Sequence, residues 1–113
     1  MIDKATFNSN YEIFDREIVK EIIDIYISEY PERMINLEKN IKENDLDSLY
    51  KNAHSMKGVT ANFFDKATEE FARQLESKGK DGDANGLEDI FAELKKASES
   101  LVDELEALGK EYS

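Results

Sequence analysis

Leu46, Leu49, Ala53, Met56 and Phe63, with Thr60 in step, recur every three or four positions, the period of a helix with one buried stripe. The same period predicts further helices on both sides. Asp15 is placed to cap one reaching about Tyr30, with Ile18, Ile22, Ile25 and Tyr26 on one side and Val19 and Ile23 beside them. So wide a stripe implies burial on more than one face, or a surface for another protein. Pro31 suits the first turn of a second helix, whose narrow seam is Met34, Leu37 and Ile41. Asn44-Asp45 closes that helix and caps the next, which runs to about Phe63. Asp65 offers a fresh cap for a helix carrying Ala67, Phe71 and Leu75 inward. Lys78-Gly79-Lys80-Asp81-Gly82-Asp83 reads as a loop. The last helix starts near Asp83 or Asn85 and reaches about Leu108, with Leu87, Ile90, Phe91, Leu94, Leu101, Leu105 and Leu108 as its seam and Gly109 as its stop. Residues 1–13, with the turn signal Asn8-Ser9-Asn10, read as an irregular lead-in.

Long amphipathic helices with short connections imply antiparallel neighbours. The expected fold is all-α, an up-down-up-down four-helix bundle with an additional N-terminal helix packed over one end. A chain of 113 residues suits a single domain spanning 1–113. Four matched stripes find their partners within the chain, so a monomer is expected over a coiled-coil dimer through the last helix.

Charge narrows the partners. A formal net charge of −11 disfavours nucleic acid and anionic membrane surfaces, both of which are held by surplus lysine and arginine. The richest apolar segment, Ile18 to Ile27, is broken by Lys20, Glu21 and Asp24, which excludes a membrane span. Met1-Ile2-Asp3-Lys4 does not open a signal peptide, and with no cysteine the composition is compatible with a reducing, cytoplasmic setting. Asp81, Asp83, Asn85 and Gly86 partly imitate a calcium loop. The twelfth position is Ala92 and not the required glutamate, so no metal site is assigned.

The candidate chemistry sits on the helix at 46–63. At about 100° per residue, His54 points roughly 130° away from the mean direction of the apolar stripe, so the chain's one histidine faces outward. Lys57, Gly58 and Ala61 share its side. Glycine within a helix costs about 1 kcal/mol relative to alanine, which points to a place where another molecule comes close. Lys57 supplies a flexible point charge suited to a phosphoryl group. Tyr50, one turn before His54, is read as a flank of the core, and Lys51, Lys66 and Arg73 as cations that packing could bring near the site.

His54-Ser55-Met56-Lys57-Gly58 resembles the His-x-Leu-Lys-Gly core of histidine-containing phosphotransfer domains, the four-helix modules of two-component phosphorelays. The approach Asn44-Asp45-Leu46-Asp47-Ser48-Leu49 and the downstream Leu75-Glu76 are similar to that family too, so the likeness spans roughly residues 14 to 108. It departs at Phe64, where the family usually has glycine and a differently shaped turn is expected here. At Glu76 some members carry glutamine; a carboxylate would repel a phosphoryl group, so Glu76 receives no role.

The resemblance implies a phosphorelay intermediate. His54 would accept a phosphoryl group from a receiver-domain aspartate and pass it to another receiver, Lys57 would neutralise phosphate charge, and Gly58, Ala61, Tyr50 and Lys51 would face the partner. The partners implied are response-regulator receiver domains and a hybrid or sensor histidine kinase. With no carboxylate cluster for magnesium and no phosphate-cradling glycine loop, the chain has no cofactor of its own and is no enzyme; Mg2+ is expected on the receiver. Two alternatives stand beside this reading: phosphorylation by a histidine kinase's ATP-binding domain, and a non-catalytic helical adaptor.

Overall fold

The computed structural model describes residues 1–112, and among them the only regular elements are five α-helices. They are α1 (Lys4–Tyr11), α2 (Arg16–Lys42), α3 (Leu46–Ala61), α4 (Lys66–Asp81) and α5 (Leu87–Glu111). The last four form the up-down-up-down bundle and α1 packs over one end, the whole measuring 42 × 22 × 20 Å.

Helix number agrees with the pattern, but the residues are shared out differently. The two helices expected on either side of Pro31 are one, the 27-residue α2. Val19, Ile23, Tyr26, Met34 and Leu37 are all buried, with Tyr30 half-buried between them. The stripe therefore stays in helical phase through the proline. Pro31 is exposed and removes one backbone donor from the helix, the one that would serve the Ile27 carbonyl. Asp15 holds the N-cap position of α2 in an extended conformation but makes no side-chain capping bond. Ile18 and Ile25 stay about half exposed, at 47% and 48%, so the wide stripe buries only one of its edges.

The additional helix is instead α1, where an irregular lead-in was expected. Asp3 caps it by accepting from the Thr6 N–H at 3.1 Å. Ile2, Phe7 and Tyr11 are buried, the Phe7 ring lies 6.3 Å from that of Phe63, and the Tyr11 hydroxyl donates to the Asn62 carbonyl at 3.1 Å. Burial at the end of the bundle overrides the turn propensity of Asn8-Ser9-Asn10.

Asp45 and Asp65 act as the expected caps, accepting from Ser48 N–H at 3.1 Å and Thr68 N–H at 3.2 Å. Between them α3 ends at Ala61, and Phe64 adopts φ +58, the left-handed conformation that glycine takes most readily. Phe64 thus keeps a glycine-type turn, against the expectation of a different shape, and its half-buried ring packs on the core.

On α4 the buried stripe is Thr68, Ala72, Leu75 and Gly79, with Ala67 exposed and Phe71 half-buried, so the expected inward set was rotated by about one residue. Small residues at 72 and 79 are what a close helix contact selects. The helix continues through Lys78–Asp81, which had read as a loop, and stops at Gly82 with φ +70, whose N–H bonds the Gly79 carbonyl. Helix α5 starts at Leu87, later than Asp83 or Asn85. It passes through Gly109, which is buried within the helix and is no stop. Ile90 and Phe91 are half-buried, and Ser98 completes the seam by sharing a 2.7 Å hydrogen bond with Tyr30.

Candidate functional site

Helix α3 buries Leu49, Ala53, Met56 and Thr60, and so turns His54 outward, as the spacing requires. The imidazole is 67% exposed. Thr60 fixes the helix from within by sharing a 3.0 Å hydrogen bond with the Tyr26 hydroxyl, whose pKa burial pushes up to about 12.

Beside the ring lies Glu76, on α4. Its Oε2 meets His54 Nδ1, and its Oε1 accepts from Lys57 Nζ at 2.7 Å. One carboxylate thus ties together the histidine and the lysine, which stand one turn apart on α3. Desolvation raises the Glu76 pKa, but hydrogen bonds from Lys57 and His54, with the charge of both, outweigh it and hold the carboxyl below its ordinary range. An ionised Glu76 accepts only, so Nδ1 carries the proton and Nε2 is the nitrogen left for chemistry.

Gly58 is open: a Cβ built there meets no heavy atom within 4 Å. Ala61, the next residue on that face, is half-buried. The patch next to the imidazole is therefore bare backbone and methyl. Tyr50 is half-buried, and its main chain is in contact with α4 at Gly79. Lys51 is exposed and pairs with Asp47 at 3.1 Å. Lys66 and Arg73 line an open cleft of about 370 Å³ with Lys57, Glu69 and Glu70. Arg73 is engaged there by Glu70, Nε to Oε2 at 2.6 Å, so the positive charge it brings is largely cancelled.

Among the described residues, no three His, Cys, Asp or Glu side chains converge as a metal site. Nor is any helix long and apolar enough to cross a membrane. The residue that sequence reasoning missed is Glu76. Its signal was present in Leu75-Glu76: with Leu75 inward, the following side chain lies about 100° round the helix, at the edge facing a neighbour.

The Hpt domain family model matches residues 21–110 of this chain. Among solved structures, histidine-containing phosphotransfer protein B from Pseudomonas aeruginosa PAO1 superposes with a TM-score of 0.90, covering 99% of this chain and 96% of that one at 17% sequence identity. No curated protein matches the sequence.

Proposed function

The chain belongs to the Hpt domain family, and on that premise we propose that it is a phosphorelay intermediate whose carrier is His54. The observation that supports this most is an exposed imidazole whose Nδ1 is held by Glu76 beside an uncovered stretch of helix. The neutral ring attacks through Nε2, the bond from phosphorus to the receiver's aspartyl oxygen breaks, and the aspartate leaves as carboxylate. The Nδ1 proton stays in place, so the phosphorylated ring is cationic and lies against the Glu76 carboxylate. Return of the group to a second receiver reverses the same steps.

Lys57 stands within reach of phosphate bound to the ring and would offset its charge, while Glu76, on the Nδ1 side, keeps away from it. Gly58 and Ala61 give the receiver's backbone room to come close, with Tyr50 and Lys51 at the margin. The half-exposed Ile18 and Ile25 on α2 would add apolar surface for the same partner. Magnesium would come with the receiver, and the chain would act as a stoichiometric carrier without an ATP or metal site of its own.

The test is incubation with a panel of receiver domains carrying labelled aspartyl phosphate, with His54→Gln as the control. Acid-labile, alkali-stable label on the wild type alone supports the relay. Label on the control removes His54 as the carrier. If a histidine kinase's ATP-binding domain labels the protein and no receiver does, the donor half of the proposal fails.

A further inference from the structure

Helices α3 and α4 touch through their backbones at one place. Gly79 is fully packed inside α4, and a Cβ built on it would lie 2.8 Å from Tyr50 N, 3.0 Å from Leu46 O and 3.1 Å from Tyr50 Cα. All three are main-chain atoms of α3, so no side chain can swing aside. To reach the 3.4 Å where ordinary contact begins from 2.8 Å, the helices would have to separate by about 0.6 Å. The two helices run antiparallel. One turn before Gly79 on α4 is Glu76, and one turn after Tyr50 on α3 is His54.

We propose that Gly79 is a positioning residue for the phosphoryl acceptor: by allowing backbone contact between α3 and α4, it brings Glu76 close enough to hold His54 Nδ1 and Lys57 Nζ together. The Glu76 side chain is 12% exposed and its two oxygens are used by two partners on α3, one each. Both contacts cross from α4 to α3, so separation of the two helices lengthens and weakens them together. Lost contact with Glu76 frees the imidazole to populate the tautomer protonated at Nε2, the nitrogen that must attack. The other buried glycine in a helix, Gly109, does not share this constraint. A Cβ there would meet the Ile23 side chain at 3.5 Å, an ordinary contact.

The inference rests on the reading of His54 as the carrier, but its test does not need phosphate. The imidazole tautomer is read from the 15N shifts of the histidine ring at a pH where it is neutral, in wild type, Gly79→Ala, Glu76→Ala and Gly109→Ala. Wild type and Gly109→Ala are expected to hold the proton on Nδ1, with Gly79→Ala moved toward Glu76→Ala. Where a receiver labels the wild type, Gly79→Ala is expected to slow transfer about 10- to 100-fold, the scale of a small misplacement at a reacting centre. A folded Gly79→Ala with the wild-type tautomer overturns the proposal. If that variant does not fold, Glu76→Asp asks the same question at unchanged helix spacing, by drawing the carboxylate back one methylene. A wild-type tautomer in Glu76→Asp also overturns it. Failure of every receiver to label the wild type, with the tautomers as expected, would remove the relay and leave the positioning intact.

Discussion

Glu76 is held below the ordinary carboxylate range, so it binds fewer protons folded than unfolded. Its contribution to stability is fully present above its unfolded value and is lost as the pH falls through the lowered one. Glu76→Gln is therefore expected to cost stability near pH 6, with the difference from wild type narrowing toward about pH 3 in urea midpoints. A difference that stays constant across that range would separate the carboxylate's charge from its hold on Lys57. That His54, Lys57 and Gly58 share an outward side of α3 was legible from spacing, because a helical period fixes which side chains share a face. Glu76 was not, because its partners lie 22 and 19 residues away on another helix. Considered alone, its charge is opposed to phosphate; the structure places it against His54 Nδ1, on the side of the ring away from Nε2.

At the scale of the helix, α3 gives up intrinsic stability at Gly58. Nothing surrounds the glycine, so Gly58→Ala introduces no clash and should stabilise the folded protein by about 1 kcal/mol, seen as a melting temperature a few degrees higher. The same methyl stands where a partner would dock, so transfer from a receiver should become slower. A more stable variant with undiminished transfer would show that the glycine does not serve close approach. Stripe and cap explain most of what could be read of the elements. Asp45 and Asp65 were placed by their position before apolar runs and make the expected bonds. Pro31 and Asn8-Ser9-Asn10 misled because local propensity was weighed without the burial on both sides of it, which keeps α2 continuous and folds α1. Lys78–Asp81 misled for the opposite reason: Gly79 looks like a breaker in sequence and is in fact the point where two helices meet.

Across the whole molecule, the all-α bundle was readable, with its last three helices in order, because short connections between long helices leave few antiparallel arrangements; its first helix was read as two. The depth to which each helix sinks was not readable, since it depends on contacts such as that of Gly79 with the main chain of α3. The surface that results is acidic, at a formal net charge of −11, yet the ring of His54 has Lys57 within a turn of it. The bundle thus presents the Nε2 edge of an exposed imidazole, held at Nδ1 from the neighbouring helix. The most direct test is to phosphorylate the protein from a receiver and locate the group by 1H–15N and 31P NMR of the labelled histidine. The account predicts phosphorus bonded to Nε2 of His54, with the proton retained on Nδ1. Phosphate on Nδ1, or on any other residue, would contradict it.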